Sequence, residues 1–281
     1  MQVFSIETEF FRLDGGAMFG VVPKVIWNKL NPADENNLCP WAMRCMLVID
    51  GNRRILIDTG MGNKQSEKFF SHYYPFGEHT LLKSLARLGI QPSDITDVLL
   101  THLHFDHCGG AVFRENNELK LRFPNAIHWS NASHWAWATD PNSREKASFL
   151  KENILPIQES GMLHFIDERK GYKTDFSDNI RIMFSYGHTQ SMMIPLIRYK
   201  ERTVAYVADL IPSSHHIHIP FVAAYDMFPN TTLDEKEAYL EEAVRENHIL
   251  FFEHDPKVIS ASVQLTEKGF RMKEEVDLEE L

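Results

Sequence analysis

Residues 101–110 read THLHFDHCGG, and they put four metal-ligating side chains, His102, His104, Asp106 and His107, within six positions. The short apolar run Val98 to Leu100 leads straight into them. If that run is a strand, His102 and His104, two positions apart, leave its end on one face. Asp106 and His107 follow where the chain must turn, and Gly109-Gly110 lets the backbone fold tightly. Imidazole and carboxylate together suit zinc and the related first-row metals. Cys108 adjoins a ligand but is expected to pack as a small buried thiol.

Three further candidates lie downstream, each after a predicted strand: His188 in SYGHT, Asp209 in YVADL and His254 in FFEHDP. Strand ends are rigid places to hold ligands. One zinc takes about four ligands, and a catalytic zinc leaves one of those places to water. Seven side chains therefore fit two metals. A natural division gives one metal His102, His104 and His188, and the other Asp106, His107 and His254, with Asp209 bridging through its two oxygens. Two metals roughly 3.5–4 Å apart can share a hydroxide that attacks carbonyl or phosphoryl centres. For any one of these side chains a satisfied surface or core role is the default; all seven, five histidines and two aspartates in this order, make that reading a poor one.

The surrounding pattern mixes strands and helices, without repeats, low-complexity tracts or linkers. Met46 to Ile49, the turn signal Asp50-Gly51 and Ile55 to Ile57 read as a hairpin. Leu81, Leu82, Leu85 and Leu88 recur at helical spacing, with Gly89 at the helix end. Arg144 to Leu155 is expected to be helical, with Ser143 as N-cap and Pro156 as stop. Ile180–Phe184, Ile194–Arg198, Val204–Val207 and Ile249–Phe252 read as strands, and Val258–Leu265 adds one or two more. Thr232 with Glu235 suggests a capping box for a helix through about Arg245. The acidic tail from Lys273 to Leu281 is expected to fray. The whole chain, residues 1–281, reads as one domain with a helical insertion around 130–160.

The chain has 281 residues, 29 Lys plus Arg against 39 Asp plus Glu, and a formal net charge of −10. Without a basic run, that balance argues against nucleic acid, whose binding draws on clustered Lys and Arg. Three cysteines give no disulfide framework. No apolar run reaches the ~18 residues of a membrane span, and the N-terminus lacks a basic-then-apolar signal pattern. A cytoplasmic protein is expected, acting on a small-molecule substrate with no nucleic acid and no membrane, and with a homodimer left open.

The HxHxDH pattern at 102–107, followed by His188, Asp209 and His254, resembles the metallo-β-lactamase superfamily. The resemblance runs from the segment Ile57-Asp58-Thr59-Gly60 to His254-Asp255-Pro256. It implies an α+β fold, a four-layer αββα sandwich with metals at one edge of the sheets, and two divalent metals, with zinc the first expectation and Mn, Fe or Co as alternatives. It also implies that Asp58 orients a ligating imidazole.

Asp209 stands where the β-lactamase branch proper usually has cysteine, and His104 is present where flavodiiron members carry glutamate. Only 27 residues follow His254, too few for the C-terminal domain of glyoxalase II. The net charge speaks against ribonuclease Z. The ligand spacing and the segment LDGGAMFGVVPKVIW resemble most the group of acyl-homoserine lactonases and methyl parathion hydrolase. The expected activity is hydrolysis of a lactone or related ester through a metal-bridging hydroxide. An organophosphate hydrolase, a mononuclear iron persulfide-oxidising member and a non-catalytic metal-binding protein are the alternatives.

Two departures from the family stand out. Its GHTxGH segment is GHTQSM here, with Ser191 for a glycine and Met192 for a histidine. A tyrosine that some lactonases carry three residues after the bridging aspartate is Pro212 here. His215, His216 or Tyr225 is the nearest replacement as a donor to the oxyanion, and the catalytic candidates are therefore Asp106, as proton shuttle, Tyr225 and His216. His215, His216 and His218 form a second cluster, better read as a loop with one polar group for the site, or as plain solvent-exposed residues, than as a third metal. Trp129, Trp135 and Trp137 line a substrate pocket or pack a core.

Overall fold

The computed structural model describes residues 1–168 and 172–281. They divide into two compact units, one of Met1–Glu9, Met43–His72 and Phe76–Thr174, the other of Phe10–Ala42, Tyr73–Pro75 and Asp175–Leu281. Each joins a sheet to helices. No helix among the described residues is long and apolar enough to cross a membrane.

The first unit's sheet has six strands, arranged in chain order: Gln2–Ile6, Cys45–Asp50, Arg53–Ile57, Asp97–Leu99, Ile127–Ser130 and Leu163–Phe165. The predicted hairpin closes through Gly51-Asn52, with Asp50 opposite Arg53 and Gly51 at φ +59°, a left-handed conformation that glycine adopts freely. From Arg53–Ile57 the chain crosses over to the parallel strand Asp97–Leu99 through the helix Leu81–Arg87. Thr80 caps that helix by accepting from the Lys83 N–H, and Gly89 ends it at φ +72°. Leu81 and Leu85 of the helix pack with Leu47, Leu56 and Val98 of the sheet. The segment 100–108 leaves the carboxyl end of Asp97–Leu99, where ligands gather in sheets with parallel strands.

The insertion differs from expectation. Asn131 caps a helix at Ala132–Thr139, and a second helix spans Lys151–Glu159 with Pro156 inside it. Between them the Asn142 side-chain oxygen accepts from the Arg144 and Glu145 N–H groups, a turn that competes with helix over 144–148. Pro156 forfeits one backbone bond, while buried Ile154 and Ile157 keep the helix on the core.

Of the seven strands in the second unit's sheet, the six wholly within it also follow chain order: Ile180–Ser185, Met192–Tyr199, Arg202–Tyr206, Ile249–Phe251, Ser260–Thr266 and Gly269–Glu275. The one parallel step among them, Arg202–Tyr206 to Ile249–Phe251, is bridged by the long helix Pro229–Arg245. That helix starts three residues before Thr232, with Pro229 pre-setting its first turn. The tail is more ordered than expected. Lys273–Glu275 belong to the last strand, the Val276 N–H donates to the Ser260 carbonyl, and Leu278 is buried.

Gly109 and Gly110 are needed for close approach. Gly109 sits at φ −60°, open to any residue. A Cβ there would meet the Met61 carbonyl oxygen at 2.1 Å, and one on Gly110 would meet that of Thr59 at 2.1 Å. Backbone bonds tie the segments together, from Thr59 N–H to the His107 carbonyl at 2.7 Å and from Gly110 N–H to the Gly60 carbonyl at 2.9 Å. Gly110→Ala is therefore expected to cost about 3 kcal/mol, the upper end for overpacking, read as a lowered urea midpoint. An unchanged midpoint would show that the 59–62 strip gives way freely.

Candidate metal centre

In the first unit, His102 Nε2 and His104 Nδ1 face each other at 3.0 Å. The opposite nitrogen of each ring is held by an oxygen. Thr101 Oγ1 lies 3.1 Å from His102 Nδ1 and itself donates to Asp58 Oδ2 at 2.6 Å, so it accepts from the imidazole. Glu145 Oε1 takes His104 Nε2–H at 2.9 Å. Asp58 Oδ2 faces His107 Nδ1 at 3.2 Å, and Asp58 Oδ1 accepts from the Thr101 N–H at 2.7 Å. His107 Nε2 is thereby left with its lone pair, 3.8 Å from Asp106 Oδ2. Asp106 is the more exposed of that pair, at 13% of its side chain against none for His107.

In the second unit, Asp209 divides its two oxygens. Oδ2 lies 3.1 Å from His188 Nε2 and Oδ1 lies 3.1 Å from His254 Nε2. Asp226 Oδ1 holds His188 Nδ1 at 2.8 Å, and the Ala42 carbonyl holds His254 Nδ1 at 2.7 Å. Burial would push the His188 pKa down, but Asp209 and Asp226 overcome it and carry it up to about 10. The place is one where positive charge is favoured. Behind it, Thr232 donates to Asp226 Oδ2 at 2.7 Å, and Glu235 accepts from Ser185 Oγ and from the Tyr186 and Gly187 N–H groups. The pair read as a capping box thus braces the His188 loop.

These donors fit divalent metals. Two ligand atoms on one tetrahedral zinc, each about 2.0–2.1 Å from it, lie about 3.3 Å apart. The facing pairs His102–His104, His188–Asp209 and His254–Asp209 stand at 3.0, 3.1 and 3.1 Å. All five imidazoles have the other nitrogen tied to an oxygen, which fixes the tautomer for ligation.

The remaining candidates fall out unequally. His216 is fully buried and stacks on Phe19 with ring centroids 5.0 Å apart. Its Nε2–H donates to the Met18 carbonyl, its Nδ1 accepts from Ser213 Oγ, and burial pushes its pKa down to about 3. It is a packed core histidine with no donor left for an oxyanion, which corrects its catalytic assignment. His215 is held by the Leu30 backbone, and His218 stacks on Phe221. Tyr225 is 43% exposed, directly before Asp226, in a segment pinned by the bond from the Ala224 N–H to the Ala17 carbonyl. The Pro212 carbonyl accepts from the His254 N–H. Ser191 keeps the left-handed φ, +56°, that the family glycine adopts freely. Cys108 is buried, its thiol pushed up to about 12. Trp129 and Trp137 donate to Asp97 and Glu145, which favours the packing role. Sequence reasoning missed Thr101, Glu145 and Asp226 as supports. Asp226 precedes Thr232 by six positions, but Glu145 carries no signal of its own.

The pattern of the metallo-beta-lactamase superfamily matches residues 43–254. An N-acyl homoserine lactonase of Bacillus thuringiensis subsp. kurstaki is 24% identical over 247 residues, covering 80% of this chain and 85% of the relative. A probable metal-dependent hydrolase from Staphylococcus aureus superposes with a TM-score of 0.85 at 27% identity, over 98% of both chains. The dizinc quorum-quenching lactonase AidC, solved with a homoserine product, superposes with a TM-score of 0.77 at 24% identity, over 98% of this chain and 94% of its own.

The loop that ends in Tyr225 and Asp226 is anchored by a buried lysine. Lys236 Nζ donates to the His218 and Phe221 carbonyls at 3.1 and 2.8 Å, and burial lowers its pKa to about 7. An unfolded lysine titrates near ~10.4, so between those values the unfolded chain binds the extra proton and stability rises with pH. Lys236→Met should remove that rise. Urea unfolding of both proteins at pH 6.5 and 10 checks it, and parallel pH profiles would contradict the lowered pKa.

Proposed function

The chain belongs to the metallo-beta-lactamase superfamily, with that superfamily's mixed α and β fold, as a metal-dependent hydrolase, and we propose that it opens an N-acyl homoserine lactone or a closely related ester at a centre of two divalent metals. The observation that carries the reading is Asp209, whose two oxygens stand equally close to two histidines, as a bridging carboxylate requires. His102, His104 and His188 would hold one metal, Asp106, His107 and His254 the other, and Asp209 both. Zinc is the first expectation, from the dizinc neighbour and the imidazole-rich donor set.

Metals bound there supply Lewis acidity toward an acyl oxygen and a water that loses its proton near neutral pH. The protein supplies the rest. Asp58, Glu145 and Asp226 keep ligand imidazoles in register. Asp106, partly exposed, would pass a proton to the leaving alkoxide. Tyr225 is the donor for the developing oxyanion, the role left open by Pro212 and by the engaged nitrogens of His216. Pro212 also favours a second substrate class, aryl phosphotriesters. The family pattern takes in residues of both units, which supports one domain. Three buried cysteines suit a reducing cytoplasm.

Purified protein is expected to hold about two divalent metals per chain, and Asp209→Ala to lose lactone turnover by orders of magnitude while staying folded. Metal analysis and turnover of that variant decide the point, since full activity with both metals retained contradicts the bridge.

Tyr225→Phe tests the donor. Losing one oxyanion donor costs ~10²–10³ in kcat, and the loss should fall on kcat more than on KM. Unchanged lactone kinetics would remove Tyr225 from the mechanism. A wild type that ignores lactones and cleaves aryl phosphotriesters would hand the assignment to the second class.

A further inference from the structure

The insertion reaches the metal ligands through one carboxylate. Glu145 is buried, at 4% exposure, in the turn that Asn142 makes between two helices. Its Oε1 receives His104 Nε2–H at 2.9 Å. Its Oε2 receives Trp137 Nε1–H at 2.6 Å and Asn142 Nδ2–H at 3.3 Å. Neither of those two donors can become an acceptor. Indole nitrogen only donates, and the Asn142 amide is fixed by its oxygen, which accepts from the Arg144 and Glu145 N–H groups. The same segment is fastened to the ligand loop by the bond from the Phe105 N–H to the Ser148 carbonyl at 3.0 Å. Phe149 also packs on the His104 ring, with centroids 4.8 Å apart.

His104 differs from the other ligand histidines, because it presents Nδ1 rather than Nε2 to its facing partner. An imidazole ligates through Nδ1 only as the Nε2–H tautomer. We propose that Glu145, backed by Trp137, is the positioning residue that sets this tautomer and so creates the His102–His104 half of the metal centre. The proposal rests on the dinuclear reading above. A carboxylate is required because it accepts on both oxygens. A glutamine there has one acceptor, which Trp137 claims. Its NH₂ group then points at His104 Nε2 and selects the Nδ1–H form, whose nitrogen cannot bind metal.

The test is a pair of variants in the full chain, titrated with Zn²⁺ against a chromophoric chelator. E145Q is expected to weaken one of the two metals by ~10–100-fold, the usual cost of losing such a partner, and to spare the other. W137F/E145Q should recover most of that loss, because the 2.6 Å indole bond is the one that holds the glutamine oxygen, and the Asn142 contact at 3.3 Å is too long to keep it from turning back to His104. Wild-type affinity in E145Q overturns the proposal. So does a double variant no tighter than E145Q, which would show that only the carboxylate charge mattered. Should E145Q fail to fold, ¹⁵N NMR of the metal-free wild type reads the His104 tautomer directly, and a protonated Nδ1 there overturns the proposal by itself. A wild type that takes up fewer than two metals defeats the dinuclear reading, whereas the tautomer measurement judges Glu145 independently of it.

Discussion

A neutral imidazole carries one proton on two nitrogens, and a histidine is a ligand only where something else holds that proton. The chain satisfies this condition five times with oxygens from unrelated places: a hydroxyl on Thr101, carboxylates on Asp58, Glu145 and Asp226, and the Ala42 carbonyl. Much of the surrounding architecture delivers those oxygens. The hairpin ending at Ile57 releases Asp58 beside the segment that leaves Asp97–Leu99. The strand Leu38–Ala42 ends where its last carbonyl meets His254. The first turns of Pro229–Arg245 secure Asp226 through Thr232.

Backbone strain also reaches these places. Asp58, Ser191 and Ala208 adopt positive φ values of 57°, 56° and 42°, at or beside the ligand segments. Such conformations cost of order 1–3 kcal/mol each for residues with a Cβ, and persist when the surroundings over-determine them. At Asp58 the compensation is visible, since its two oxygens take bonds from the Thr101 N–H, the Thr101 hydroxyl and His107. Gly187 shows the steric side of the same economy. A Cβ there would lie 2.3 Å from Thr232 Oγ1, the atom that steadies Asp226.

The ligands were legible in sequence because they are local or follow strands, and strands ended by Asp, His or Gly can be read from alternation and turn chemistry. The hairpin at Gly51 and the helix ending at Gly89 were legible for the same reason. The supports were not, because a second partner is chosen by three-dimensional proximity. Glu145 looks like any solvated acid within a helical stretch. Thr232 and Glu235 match a capping box so well that the local reading hid their actual partners, Asp226 and the 185–187 backbone. His216 failed for the opposite reason. Its neighbours in sequence suggested a loop near the site, while the folded chain stacks its ring on Phe19 and engages both nitrogens with the Ser213 hydroxyl and the Met18 carbonyl.

The supports are themselves satisfied. Asp58, Glu145 and Asp226 are at most 4% exposed, and a buried polar group is costly unless it is hydrogen-bonded. Each spends part of its acceptor capacity on a ligand imidazole and part on a hydroxyl, an indole or a backbone N–H. Metals held as proposed would add positive charge beside Asp106 in the first unit and beside Asp209 in the second. Folding, on this reading, assembles a cage whose electrostatics are completed by metal, so that metal affinity and native stability draw on the same free energy. The −10 of the whole chain counts these buried carboxylates together with the exposed ones. The proposed function would depend on the few of them that face a ligand histidine: Asp58, Glu145 and Asp226.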